Sequence, residues 1–519
     1  MKNKRYKCVF NHELLILGST QSPYQSYEDN ITDAQAIGYV KELENTDVDV
    51  IMCCPTAWRR NLWHSEVDRH WQDEAPIIKE PLPEHDWTYA EKLYFRLRRY
   101  MLTGADPFGV SVKTAHEISR DIYASYRMND NHYAWLSDCP THNTIFKEHN
   151  EWKLKSGPDY WSGKNCFNYK YEGVRKYYYS ILRELVEKYD VDGLELDFMR
   201  HSAYFEPEEA LQCIPIMTEF VRSLRDMLDE FSKKRNKRLG LCVRIPHVFK
   251  QCKELGLDVE EWDKQGLIDM VNISSHFTTT PFLEIEEFKK HINNSYLYGE
   301  IHFNLKAGRL DGTYPGLGMR KANKEVYRTL AYNFMTRGCD GISLFNFDFV
   351  RDHHFHEPRL DGIYGVEPPF EALQDLSMET LKREPKHYYV SSIYNDISYR
   401  ENYAAVKLNI SDDTKSGIFK KAIVRAETNE KCLHLDIKMS LNGQELNKTK
   451  WVGELFVPLT FEVLPYFDHV CYFEVPLELI QQGENVFEIR NATKIKANVK
   501  NVRFTDLEVA LYTDKPLWE

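Results

Sequence analysis

Eight short apolar runs, set apart by longer stretches with helical spacing, constrain this chain more than any other feature. The runs lie at residues 7–13, 48–54, 121–128, 193–198, 239–245, 270–275, 296–303 and 341–347. Amphipathic stretches at 33–44, 171–188 and 213–233 fall between them, and another at 324–337 precedes the eighth run. In 171–188 the residues Val174, Tyr177, Tyr178, Ile181, Leu182 and Leu185 recur at the spacing of one helical face. Strands that alternate with helices pair in parallel. Eight such units in roughly 350 residues predict an α/β fold, a (β/α)8 TIM barrel with insertions.

The chain of 519 residues is too long for one ordinary core. Its pattern changes near residue 390. Short alternating segments at 404–409, 421–426, 433–441, 469–475, 485–489 and 507–511 are separated by turn signals such as Asn442-Gly443. We expect a barrel over 1–388 and an all-β sandwich over 389–519. Trp451, Tyr466 and Phe467 in the second part either form a sugar platform or pack as a structural buttress, and the short link between the parts favours the buttress. Two long insertions, 58–87 and 133–169, follow strand runs and are rich in aromatic residues. In a barrel such loops build the functional face.

Composition narrows the partners. A net charge of −12 disfavours a phosphate backbone, and no apolar run approaches a membrane span, so neither nucleic acid nor a membrane is expected as a partner. Aromatic residues make up 13% of the chain, and their flat amphipathic rings suit sugar faces. The 11 cysteines show no metal or disulfide spacing and read as reduced core thiols. The first residues contain no signal-peptide pattern. Together these suggest a cytoplasmic protein, the alternative being a periplasmic or secreted protein whose leader has been removed. The pattern leaves the oligomeric state open.

The chemistry concentrates at 191–201. Side chains two apart in a strand share a face, so Glu195 and Asp197 point one way while Leu194, Leu196 and Phe198 point the other. Two carboxylates on one face of an apolar strand are costly to bury without a partner or a use. Other strand ends are polar too. Arg127, Asn129, Asp130 and His132 follow strand three. Arg244 lies on strand five, His276 beyond strand six, Glu300 and His302 on strand seven, and Asn346 and Asp348 at strand eight. Such an ensemble describes a wet cavity suited to a polyhydroxylated ligand, with Trp58 or Trp63 as a stacking platform. Glycosidic hydrolysis needs two carboxyl groups flanking the bond. Asp197, Glu300 and Glu195 are the candidates. For Glu300 the alternative is a salt bridge to Arg244 or Arg127.

Asp192-Gly-Leu-Glu-Leu-Asp197 after a helix, with Arg127-Met-Asn-Asp130 after strand three, resembles the bacterial glycosyl hydrolases that join a TIM barrel to a C-terminal β-sandwich. The resemblance implies carbohydrate hydrolysis and leaves the sugar open. It extends over residue 1 to about 385 for the barrel. Against α-amylase-type barrels, Gly193, Asp197 and His201 match the strand-four spacing, but Glu195 stands where that pattern has arginine, and strand five lacks a carboxylate. Clan A barrels place the acid/base on strand four and the nucleophile on strand seven. Asp197 and Glu300 fit that placement, although the usual Asn-Glu pair is absent. No cofactor and no metal are expected. A metal-dependent hydrolase would draw on Asp352, His353, His354 and His356, and a non-catalytic sugar-binding barrel is the third reading.

Overall fold

The computed structural model describes residues 4–18, 30–69, 89–134, 139, 141–156, 163–276, 278–306, 320–349, 367–391, 395–398, 402–450, 455, 469–493 and 502–514. Two compact units emerge. The first comprises Met1–His276, Glu284–Glu300 and Asp340–Pro368, and the second Phe277–Leu283, Ile301–Cys339 and Pro369–Glu519.

All eight expected runs are strands: β1 (Cys8–Glu13), β2 (Val50–Cys54), β3 (Asp121–Arg127), β4 (Gly193–Asp197), β5 (Gly240–Pro246), β6 (Met270–Ser274), β7 (Tyr296–His302) and β8 (Gly341–Phe345). They close into one barrel in chain order, and the pairings from β1 to β7 and between β1 and β8 are parallel. Near-continuous burial explains why these strands read as apolar runs. At Gly193 a Cβ would lie 2.3 Å from the Gly240 carbonyl oxygen and 2.5 Å from the Tyr123 ring, so only glycine lets β4 start there.

The helices are α1 (Asp33–Lys41), α2 (Tyr89–Met101), α3 (Pro107–Glu117), α4 (Glu172–Lys188), α5 (Ile214–Arg235), α6 (Phe249–Glu254), α7 (Val259–Lys264), α8 (Ile285–His291) and α9 (Lys324–Arg337). The stripe expected on 171–188 is buried at Val174, Tyr178, Ile181, Leu182 and Leu185. Helices α2 and α3 were not apparent in the sequence pattern. In α2 the buried Leu93, Tyr94, Leu97, Tyr100 and Met101 keep helical spacing, but the stripe is interleaved with arginines and follows a Trp- and Pro-containing stretch that reads as loop.

The N-terminal rim of the barrel is held by a repeated device. Asp49, Asp192, Asp269 and Asp340 each precede an even-numbered strand, and each carboxylate accepts a backbone N–H at the start of the preceding odd strand. The donors are Lys7 (2.5 Å), Ile122 (2.8 Å), Leu241 (2.9 Å) and Leu297 (2.9 Å). These side chains satisfy backbone donors that the ladder leaves open.

In the second unit two antiparallel sheets carry the apolar core. The strands are β9 (Lys386–Val390), β10 (Tyr403–Ile410), β11 (Lys421–Thr428), β12 (Ile437–Leu441), β13 (Asn447–Thr449), β14 (Val470–Val475), β15 (Gly483–Asn491) and β16 (Arg503–Tyr512). One sheet runs β9-β16-β11-β14-β13 and the other has β10-β15-β12 plus the two-residue strand Gln444–Glu445. Asn442 and Gly443 turn the hairpin after β12 with φ of 51° and 84°, the mirror-image turn that Asn-Gly favours. Helix α9 belongs to this unit. Its Asn333 donates to the Asn409 carbonyl and to Ser411 Oγ (both 3.0 Å), and Thr329 Oγ1 accepts the His387 N–H (2.8 Å). Trp451, Tyr466 and Phe467 lie outside the described residues.

All 11 cysteines are free and buried. No helix among the described residues is long and apolar enough to cross a membrane.

A chain ending at residue 390 would strip α9 of its partners at Asn409 and Ser411 and leave β9 without β16. We expect it to be insoluble, or to unfold at a much lower temperature than the full chain by circular dichroism. A soluble product with an unchanged melting temperature would contradict this.

Candidate functional site

Alternation divides the barrel lumen into layers. Val9, Val50, Met52, Tyr123, Cys242, Met270 and Tyr298 form an apolar cluster low in the barrel. Residues two or four further along the same faces are polar: Asn11 and Glu13, Ser125 and Arg127, Glu195 and Asp197, Arg244, Asn272 and Ser274, Glu300. All are buried. Three contacts pass over an intervening strand, which only the lumen allows. Arg127 on β3 pairs with Glu13 on β1, Asn272 on β6 donates to Glu195 on β4 (2.7 Å), and Arg244 on β5 pairs with Glu300 on β7 (2.5 Å).

Arg244 is the hub. Its Nε and Nη2 donate to the two oxygens of Glu300 (2.5 and 2.8 Å), Nη1 donates to Asp197 Oδ1 (2.9 Å), and Nη2 also reaches Ser274 Oγ (3.0 Å). Ser274 in turn donates to Glu300. The guanidinium lies 3.6 Å from the centroid of the Phe345 ring. Burial opposes its charge, but Asp197 and Glu300 outweigh that and push its pKa up. Asp197 Oδ1 also accepts the Met199 N–H (2.9 Å). Both Glu300 oxygens are thus committed to Arg244 and Ser274, whereas Asp197 at the strand tip engages Arg244 through one oxygen.

Glu195 sits one pleat deeper. It accepts from Ser125 Oγ (2.7 Å), Asn272 Nδ2 (2.7 Å) and Cys242 Sγ (3.4 Å). Burial, and then the charge of Asp197, push its carboxyl up to about 7. Asn272 Oδ1 and Asn11 Oδ1 are buried without a hydrogen-bond partner.

Above this layer β3 ends at Arg127, and the chain turns so that Asp130 and His132 return to the site. Arg127 bonds Asp130 (2.9 Å), Asp130 bonds His132 Nδ1 (2.6 Å), and Arg200 reaches His132 Nε2 (2.5 Å). His201 Nδ1 accepts the Asn131 N–H (3.0 Å). Burial would raise Asp130, but His132 and Arg127 hold it well below the usual carboxylate range, while burial lowers His132 to about 4. Asp130, His132 and His201 each bring a potential metal-ligand atom within 4.8 Å of the others. The guanidiniums of Arg127 and Arg200 already lie against two of these residues, which opposes a further cation. The cluster reads better as a hydrogen-bonded relay. Strained backbone also gathers on this rim. Trp58, Tyr133, His201, His276 and Asn346 all have φ between 53° and 75°, and follow β2, β3, β4, β6 and β8. Such conformations cost about 1–3 kcal/mol each and collect at functional sites.

Several expected residues sit elsewhere. Asp348 bonds His12 Nδ1 (3.2 Å), and the His12 ring lies 6.0 Å from that of Tyr39 on α1. His12 has the opposite parity to Asn11 and Glu13, so this pair occupies the helix-facing side of the wall and Asp348 leaves the lumen set. Asn129 is corrected too, because its amide binds the carbonyls of Phe167 (2.9 Å) and Ala203 (2.7 Å) and the Phe167 N–H (2.9 Å), tying two loops together. Trp63 is fully buried and its indole donates to Glu184 on α4 (3.0 Å), a core position that offers no stacking face. Trp58 is buried edge-on against Tyr133, with ring centroids 5.9 Å apart. His276 is held by Ser274 Oγ (3.1 Å) and lowered to about 2 by burial and the nearby charges of Arg200 and Arg244. Asn346 keeps Oδ1 without a partner. His302 ends β7 and its Nδ1 accepts the Asn304 N–H (3.0 Å). The expected loop cluster at Asp352–His356 lies outside the described residues.

The sequence analysis missed Glu13, the carboxylate that pairs with Arg127. Its signal was its place two residues after Asn11, on the same face. It also missed Arg59, which donates to the His132 carbonyl (2.7 Å) and to Asn131 Oδ1 (3.0 Å).

No family model and no curated protein match the chain. Solved structures do. A cell-surface chitinase from Paenibacillus sp. matches at 10% identity and TM-score 0.38, over 96% of this chain and 54% of the other. An α-L-fucosidase from Paenibacillus thiaminolyticus matches at 13% and 0.37, over 66% and 46%. Another from Bacteroides thetaiotaomicron matches at 9% and 0.37, over 94% of both. The chain spans about half the length of the first two. At these identities and scores the similarities assign neither family nor activity.

The state of Glu195 is testable. Its folded pKa near 7 lies above the ordinary carboxylate value of 4.5, so the folded state binds the extra proton, and stability drawn from this group falls as pH rises through that window. Glu195→Gln removes the effect. In urea denaturation at about pH 5 and about pH 8, the wild type should lose a few kcal/mol relative to the variant. Parallel losses would contradict the raised pKa.

Proposed function

We propose that the chain is a glycoside hydrolase that cleaves an O-glycosidic bond in an oligo- or polysaccharide with carboxyl groups at the C-terminal rim of the barrel. The observation that carries this reading is the division of the lumen carboxyl groups into opposite environments. Glu195 is pushed towards holding a proton near neutral pH, while Asp197 on the same face is ion-paired with Arg244. Such a divergence separates an acid from a base or nucleophile. In this reading Asp197 meets the anomeric centre or its attacking water, and Glu195 supplies the proton. Glu300 holds Arg244 in place. The notched ring of polar groups around them, with Asn11 Oδ1 and Asn272 Oδ1 unpaired, suits the hydroxyl groups of a sugar.

The test is turnover of a panel of aryl glycosides and oligosaccharides. Asp197→Asn should lower kcat at least about 100-fold while the circular dichroism spectrum stays that of the wild type. A variant that retains more than about a tenth of the wild-type kcat would sink the assignment. The alkaline limb of the kcat/KM profile should follow the Glu195 carboxyl near 7 and disappear in Glu195→Gln. A limb that persists would reassign the acid.

A further inference from the structure

A cavity of about 270 Å³ opens in the first unit at the ends of β4, β5 and β6. Met199, whose N–H bonds Asp197, lines one side. His201, His247, His276, Gln251 and Ser275 are among its other lining residues. No Lys, Arg, Asp or Glu is among the described lining residues. The cavity is preformed. Its backbone is pinned where His247 donates to the Ser274 carbonyl (3.0 Å) and accepts from the Glu284 N–H (3.3 Å). His201 and His276 present their rings from left-handed backbone, with φ of 60° and 75°. His247 Nδ1 is buried and has no hydrogen-bond partner. Burial lowers the pKa of all three imidazoles. All three rings are therefore neutral at neutral pH; His247 offers an unpaired Nδ1, whereas the Nδ1 lone pair of His201 is taken by the Asn131 N–H.

A wall of neutral imidazole, hydroxyl and amide groups can pair with both donors and acceptors, which is the pattern of sugar hydroxyls. A carboxylated or sulfated sugar would find no cation in the lining to pair with, because the nearby Arg244 is already engaged by Asp197 and Glu300 and Arg200 by His132. We propose that this cavity seats one uncharged sugar residue, linked to the residue held at Asp197, so that the substrate is a neutral saccharide of at least two units. The linkage to Asp197 rests on the hydrolase reading; the binding of a neutral sugar does not.

Binding is measured on the intact chain by calorimetry with glucose, galactose, fucose and N-acetylglucosamine, and with glucuronic and galacturonic acids as charged counterparts. At least one neutral sugar should bind the wild type and Asp197→Asn alike, and more tightly than the acids. Gln251→Trp, which fills the mouth from an exposed helix position, and His247→Leu should each weaken it at least tenfold. The proposal is overturned if no neutral sugar binds, if an acid binds more tightly, or if both folded variants bind as the wild type does. Binding that persists without turnover of any glycoside by the wild type would count against the hydrolase reading and still support the cavity.

Discussion

The site depends on one guanidinium. Arg244 is fully buried, and so are the two carboxylates it joins. Taking each ion out of water costs several kcal/mol, and only close geometry with every donor engaged offsets that. Here the fork of Arg244 meets Glu300 with two bonds and Asp197 with one, and the aromatic face of Phe345 covers it. Removal of one partner from such a cluster typically costs about 3–5 kcal/mol, because the others stay buried and uncompensated. Three strands are therefore locked in register at their functional ends by side chains as well as by the ladder.

The same charge sets the chemistry. Asp197 is held by Arg244, while Glu195 faces neutral donors and the negative field of Asp197. Two carboxyl groups two residues apart thus occupy opposite environments, although nothing local to the strand distinguishes them. The two rims of the barrel differ in a parallel way. At the N-terminal rim the four aspartates end on backbone N–H groups, and their role is structural. At the C-terminal rim charged groups pair with one another, and Asn11, Asn272 and Asn346 leave oxygens unmatched. A ligand can compete for the second set and has little to gain from the first.

The eight strands were legible because a strand buried on both faces is apolar along its whole length, and that signature survives without knowledge of its neighbours. Helix α4 was legible for a similar reason, since its stripe repeats over five turns. Helix α2 was not, because charged residues share its span and the segment before it reads as loop. The polar strand ends were legible as a set, including Arg127, Glu195, Asp197, Arg244 and Glu300. Asp348, Asn129 and Trp63 looked equivalent to them by composition and position, yet the structure gives them structural partners.

The amino-acid pattern by itself determined the architecture, since hydrophobic period and turn chemistry are local properties of a chain. It also determined which strand faces carry charge, because alternation is geometric. Tertiary structure alone decided which charges meet. Whether Glu300 is clamped or open and whether Asp348 faces the lumen or the helices depend on partners 56 and 336 positions away in the chain, and whether Glu195 keeps a proton near neutral pH depends on its burial by the other strands. Desolvation and Coulomb energies act through space, and a sequence read one strand at a time holds no record of those distances.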